Sequence, residues 1–310
     1  MKVHYSLENF SAVNPVVTIG MFDGVHVGHR TILATLEVEK KRIGGESVLL
    51  TFWPHPQVFF GRTEGFKMLS TLEEKLELLS QTGLDHCVIL PFIQEFSQIS
   101  PEDYIHTILY TGIGAKKVII GYDHHYGQKG AGDFALMQKM GAELGFEVQE
   151  IPAFELKDVN VSSTKVRNAL LDGDIARARL FLNSDYSIQG TVALGKQIGR
   201  TIGIPTANVV PDSEFKIIPG LGVYVAQVLY KDKLYNAVLS VGLNPTIDAA
   251  NTHPTIEVHI LDFSEDVYHQ TLRVYFKARI RSEQKYPSLE ALKAAINEDI
   301  RFARSFLEKK

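Results

Sequence analysis

The sequence predicts an α/β domain built on a parallel sheet, followed by an antiparallel β-barrel with a C-terminal helix. Three observations carry that expectation. In the first half, short apolar runs alternate with stretches of helical periodicity. In the second half, polar and apolar residues alternate at period two through YSIQGTVALG, VYVAQVLY, LYNAVLSV, TIEVHILDF and TLRVYFKARI. The period changes at Asn183-Ser184-Asp185, which sets the expected domains at 1–183 and 184–310.

Composition agrees with two ordinary globular domains: 310 residues, 45% hydrophobic and 22% charged. A net charge of −4 argues against a nucleic-acid partner, since such domains are commonly basic. Cys87, the one cysteine, lies in the apolar run HCVILPF and reads as a small buried hydrophobe. With no disulfide possible within the chain, no apolar leader and no long apolar run, a cytoplasmic protein without a membrane partner is expected.

Val16, Val17 and Ile19 read as a strand, inside which the run TIGMFDGVHVGHR begins at Thr18 and extends to Arg30. Gly20, Phe22, Asp23 and Gly24 form the turn after it, and a helix is expected from Gly28-His29. A strand entering a helix through a glycine-bearing turn gathers backbone N–H groups and the positive end of a helix dipole. Gly24 and Gly28 lack a Cβ, so an anion can approach the main chain closely. His26 and His29, three apart, share a face of the first turn and can both donate to one polyphosphate. The expected ligand is ATP.

Ile32, Leu33, Leu36 and Val38 extend an amphipathic helix that stops at Gly44-Gly45. SVLLTF is a strand leading into Trp53-Pro54-His55-Pro56, a loop stiffened by its prolines. Leu72, Leu76 and Leu79 mark a helix, and residues 86–92 a strand. Ser100-Pro101-Glu102-Asp103 starts another helix, with serine as cap and proline in the first turn. Residues 117–122 and 146–151 complete the strands. Because ligands of such sheets bind beyond the carboxyl ends of the strands, FDGVHVGH, WPHP and GYDHHYG should face one pocket. That places His55, Asp123 and Tyr126 in it. His124 and His125 beside Asp123 lack a further ligand at zinc spacing. In VSSTKVR, Ser162, Ser163 and Thr164 begin a helix and Arg167 follows one turn on. They can grip phosphate, or serve as a plain cap beside a solvated arginine.

In the second half, Asp172-Gly173-Asp174 separates two short helices, and Lys231-Asp232-Lys233 turns a hairpin. Residues 190–196 fit G-x-x-x-x-G-K, but Gln197 stands where a phosphate loop needs Ser or Thr, and no helix follows. The stronger phosphate candidate is GKQIGRTIGIPTANV. Gly195, Lys196, Gly199, Gly203 and Pro205 would form a loop over phosphates, and Thr206 and Asn208 offer hard oxygen ligands two apart. A turn in which both merely bond locally remains the alternative. Glu257 alternates with apolar residues in TIEVHILDF, on a solvated face or in a cleft. Ser288 caps a last helix whose apolar stripe runs Leu289, Leu292, Ile296, Ile300 and Ala303.

GMFDGVHVGH resembles the H-x-G-H nucleotidyltransferases, in the form found in bacterial bifunctional riboflavin kinase/FMN adenylyltransferases. VSSTKVR resembles that family's S-S-T-x-x-R element, GIPTAN the P-T-A-N signature of riboflavin kinases, and EVHILDF the E-V-H-x-x-D-F motif. The resemblance covers essentially the whole chain in order. It implies a Rossmann-like nucleotidyltransferase domain of H-x-G-H type, then a riboflavin kinase barrel. It further implies riboflavin, FMN and ATP as substrates, with Mg²⁺ held by Thr206 and Asn208, and Glu257 as general base. His26, His29 and Arg167 would act in adenylyl transfer, and Ser163 and Thr164 would hold phosphate. GYDHHYG stands where the family carries G-x-D-F-x-F-G, so His124 and Tyr126 replace phenylalanines. That departure keeps open a kinase with an altered adenylyl half. A non-catalytic flavin or nucleotide sensor is the other alternative.

Overall fold

The computed structural model describes residues 1–62, 64–122, 124–151, 161–195, 199, 203–243 and 254–308. Asp123 and Lys196 lie outside them. The chain forms two compact units, Met1–Ser163 and Thr164–Lys310.

The first unit is a six-stranded, all-parallel sheet of order β1-β4-β3-β2-β5-β6. Its strands are β1 (Lys2–His4), β2 (Val16–Ile19), β3 (Ser47–Trp53), β4 (His86–Pro91), β5 (Lys117–Gly121) and β6 (Glu147–Ile151). Successive residues of the central strands feed opposite faces. Val17, Val48, Leu50, Val88 and Val118 pack into one core, and Val16, Leu49, Cys87, Ile89 and Ile119 into the other. That two-sided burial is why these strands read as continuous apolar runs. β1, which the sequence reading lacks, is a three-residue edge strand with exposed Lys2 and Val3 and no apolar run to announce it.

The helices are α1 (Val27–Ile43), α2 (Pro56–Phe59), α3 (Leu72–Ser80), α4 (Gln94–Ser97), α5 (Pro101–Asp103) and α6 (Phe134–Leu144). α5 runs on into a π-helical stretch, Tyr104–Ile113. α1 buries Leu33 and Leu36 and ends on Gly44 in the left-handed region, φ 61°. Val38, expected on the buried stripe, is 64% exposed. Thr71 and Glu74 close a capping box on α3, and the Asp103 amide donates to Ser100 Oγ at the start of α5. The order of strands reverses between β3 and β5, on either side of β2, so the switch point is the carboxyl end of β2.

The second unit opens with α7 (Ser163–Leu171) from its second residue and α8 (Ile175–Leu182), capped by Asp174. These helices pack on the barrel: the Gly220 amide donates to Leu170 O, and α8 lies against the strand Thr271–Arg281. The closed barrel has the order β10-β11-β8-β7-β12-β9. Its strands are β7 (Ser187–Ala193), β8 (Ala207–Pro211), β9 (Gly222–Tyr230), β10 (Lys233–Leu243), β11 (Pro254–Ile260) and β12 (Thr271–Arg281). β8, short and led in by the Gly/Pro-rich segment, is absent from the period-two runs. Lys231 and Asp232 turn the β9–β10 hairpin with φ of 48° and 59°, the doubly left-handed geometry that suits strand twist. Gly190, in the G-x-x-x-x-G-K run, is inside β7. A Cβ there would meet Val210 O at 2.2 Å.

The final helix, α9 (Leu289–Glu308), starts with the Ala291 amide donating to Ser288 Oγ at 3.2 Å. Ile300, Ala303, Phe306 and Leu307 seat it on Val223, Val225 and Val238. Leu289, expected on that stripe, is 53% exposed. Among the described residues, no helix is long and apolar enough to cross a membrane.

Candidate active sites

At the carboxyl end of β2 the chain leaves Gly20 and folds Asp23–Val25 into a single helical turn. Phe22 and Val25 both take positive φ, 49° and 42°, so the loop is strained at two non-glycine positions. His26 caps α1: its Nδ1 accepts from the His29 amide at 3.3 Å. With Nδ1 an acceptor, a neutral His26 carries its proton on Nε2. The His26 and His29 rings stack at 3.6 Å, and His29 stacks on Phe22 at 4.5 Å. His29 Nδ1 is buried and unpartnered. Burial, then the neighbouring His26 and Lys75, hold His29 well below the usual imidazole range, so it is neutral at pH 7.

Four residues expected to bind phosphate shape the loop itself. The Asp23 carboxylate accepts from the Leu69 and Ser70 amides, each at 3.0 Å, and from Ser70 Oγ at 3.2 Å. A buried carboxylate so placed organises the loop; set against phosphate it would repel it. Gly24 is needed for its φ of 76°, and its amide is taken by Ser70 Oγ at 3.1 Å. The space over Gly28 is filled by the His26 ring, which a Cβ would meet at 3.2 Å. Gly20 likewise lies against the ring of Phe22. Ser163 Oγ, at the end of the first unit, donates to Asp23 O at 3.3 Å. Ser162 is exposed, as is Thr164, and Arg167 is half-buried on α7.

His55 caps α2 by accepting from the Gln57 amide, and lines a small cavity with Asp23, Ser70 and Lys75. Lys75 escaped the sequence reading, because a lysine in a leucine-rich helix looks like its solvated face. It is 2% exposed. Tyr126, expected to line an open pocket, is buried in the core against Tyr104 at 5.4 Å, with its hydroxyl donating to Asp133 O at 3.1 Å. The bare Gly132 makes room for its ring.

In the barrel, β8 and β11 pair antiparallel with Asn208 directly opposite Glu257. Thr206 Oγ1 donates to Glu257 Oε2 at 3.4 Å, and Pro205 O meets His259 Nδ1 at 2.7 Å. Gly195 and Gly199 clear the space these side chains use. A Cβ on Gly195 would fall 1.9 Å from Asn208 Nδ2, and one on Gly199 would fall 3.3 Å from Thr206 Oγ1. Gly203 supplies a left-handed turn at φ 79°, and the Ile204 amide closes it onto Gly199 O at 2.8 Å. Thr206 is the wall between two cavities. One, of about 360 Å³, is lined by Pro205, Ala207 and Phe263–Tyr268. The other, of about 260 Å³, is lined by Glu257, Ser240 and Arg281 with Tyr286, Leu292 and Ile296. Arg281 forks onto Asp299 of α9 at 3.0 and 2.7 Å. No motif in the sequence links those two, which lie 18 apart on a strand and a helix.

Hydroxyl, amide oxygen and a single carboxylate form a hard donor set. Mg²⁺ takes such oxygens when substrate phosphates and water complete its shell, so Thr206 and Asn208 fit that ion, with the Glu257 carboxylate beside them.

Comparison with known proteins bears on both units. The FAD synthetase family model matches residues 10–165, and the riboflavin kinase model matches residues 182–307. A protein of Escherichia coli K12 named bifunctional riboflavin kinase/FMN adenylyltransferase is 36% identical over 99% of this chain and 98% of its own. One of Pseudomonas fluorescens with the same name is 37% identical over 94% and 92%. A crystal structure titled macrolide-efflux protein, from Streptococcus pneumoniae, covers 98% of both chains with a TM-score of 0.86 and 28% identity. Fold and matches together define a two-unit flavin-nucleotide transferase. The chain belongs to the bifunctional riboflavin kinase/FMN adenylyltransferase family.

Proposed function

We propose that this chain makes flavin cofactors in two ATP-dependent steps, phosphorylating riboflavin to FMN and adenylylating FMN to FAD. The observation that carries the residue assignment is the Thr206–Glu257 contact in the wall between two cavities. In our reading the cavity beside Phe263–Tyr268 takes ATP. The one walled by Tyr286, Leu292 and Ile296 takes the flavin ring, an apolar aromatic surface for an apolar aromatic ligand. Glu257 accepts the proton of the terminal ribityl hydroxyl as its oxygen attacks the γ-phosphorus. The bond from that phosphorus to the β–γ bridging oxygen breaks, and ADP leaves. Mg²⁺ held by Thr206 and Asn208 would neutralise the charge on the phosphates.

In the first unit, an FMN phosphate oxygen attacks the α-phosphorus of a second ATP and pyrophosphate departs. The attacking group is already anionic, so no protein nucleophile is required. The work left to the protein is positioning and charge stabilisation. His26 and His29 are assigned to the phosphates as donors, with Ser163 beside the loop. The direct test is incubation with riboflavin, ATP and Mg²⁺ and separation of the flavins by chromatography. Successive appearance of FMN and FAD supports the proposal. Accumulation of FMN alone would restrict the chain to a kinase, and unchanged riboflavin would reject both steps.

A further inference from the structure

Lys75 sits on α3 under the histidine loop, where an ammonium is costly to keep. Its Nζ donates to Thr51 Oγ1 on β3 at 3.1 Å and to Met21 O, just past β2, at 3.3 Å. The Trp53 ring lies 5.6 Å from it. Among the described residues no carboxylate lies within ion-pair distance of it. The charged or titratable groups around it are Asp23 from the histidine loop, His29 from α1, Cys87 from β4 and, across the small cavity, His55. The Asp23 carboxylate, hydrogen-bonded to Leu69 and Ser70, still attracts the ammonium, whereas burial pushes the Cys87 thiol up to about 11, so it stays neutral. The ammonium therefore stands at the switch point of the sheet on two neutral acceptors, with the Asp23 carboxylate as its nearby opposite charge.

We propose that Lys75 is a positioning residue for adenylyl transfer: it ties the carboxyl ends of β2 and β3 together and offsets the Asp23 carboxylate beneath the phosphate site. This rests on reading the histidine loop as the adenylyl-transfer site. Lys75 is too buried to touch substrate, so it acts through the field it sets in a low-dielectric pocket and through the loop it anchors. Desolvation also brings its ammonium down to about 8, so the charge is present at neutral pH and fades above that value.

The test is FAD formation by the full chain from supplied FMN and ATP, followed from about pH 6 to about pH 9.5 at fixed ionic strength. For the native enzyme kcat/KM for ATP should fall as pH rises through about 8. Lys75→Met should lower kcat about ten- to a hundredfold and abolish that alkaline fall. Thr51→Val removes one hydrogen bond to the ammonium without removing the charge, and should move the fall to lower pH. A native rate in Lys75→Met, or a native pH profile in either variant, overturns the proposal. If Lys75→Met does not fold, the profile of Thr51→Val decides alone. His29→Ala separates the two levels. If it retains native FAD formation the site reading itself fails, whereas loss in His29→Ala with a native Lys75→Met rejects only the role of Lys75.

Discussion

At the scale of single residues, the two half-sites use glycine for opposite purposes. Gly24 supplies a conformation, whereas Gly195 supplies a vacancy that the Asn208 amide fills. Gly195→Ala would push a methyl into that amide, so riboflavin phosphorylation should fall by more than tenfold in kcat while conversion of supplied FMN to FAD is unchanged. Glu257→Gln removes the base but keeps the shape; FMN formation should be lost and FAD formation from FMN retained. Loss of both activities in a folded Glu257→Gln protein would contradict separate sites. For His29, a folded-state value below the unfolded one means the stability tied to its neutral form is complete above about pH 6.5. That stability drains away as the pH falls toward the folded value. NMR titration should therefore find the ring neutral at pH 6, and a ring half-protonated at its ordinary value would refute the packing. Motif reading singled out His26, His29, Thr206 and Glu257 as candidates, and the fold stacks the two rings and sets the hydroxyl against the carboxylate. Motifs could not show that Asp23 meets Ser70, Gly28 the His26 ring and Tyr126 the Tyr104 ring, contacts that only the fold settles.

At the scale of elements, what was legible was whatever carries its own period or cap. The buried parallel strands, the leucine spacing of α3, the capped starts of α5 and α9, and five of the barrel strands all do so. β1 and β8 do not: one is a three-residue edge strand and the other emerges from a Gly/Pro-rich loop, and both exist because a neighbouring strand offers them a ladder. Attachment of α9 was equally illegible, since its polar anchor pairs Asp299 with Arg281 of β12. Asp299 is 4% exposed, so Asp299→Ala would leave the half-buried Arg281 guanidinium without its carboxylate. Denaturant unfolding of the barrel unit should lose about 3 kcal/mol or more. A loss below about 0.5 kcal/mol would show the pair to be a surface contact in solution.

At the scale of the whole molecule, the change of sequence period and the compact units divide the chain at different points. The period changes after Asn183, whereas the barrel unit gathers α7 and α8 as well. Leu170 O receives the Gly220 amide, and Arg279 Nη1 donates to Asp172 O at 3.3 Å. We take 183/184 as the working boundary of the kinase fold and expect a fragment from Ser184 to phosphorylate riboflavin. One from Thr164 should do so with a higher melting temperature, since it keeps both helices. Equal melting temperatures would mean the helices add nothing to the barrel.

Closure of the barrel has one more effect. Every strand there returns its hydrogen bonds to a sibling, so the rim offers no template to another polypeptide. The open sheet instead has two edges, β6 and the shorter Lys2–His4, a lip only three residues long. If heat peels that lip away, the apolar strand behind it becomes a docking rail, and clumping in an overheated sample should begin from the N-terminal half.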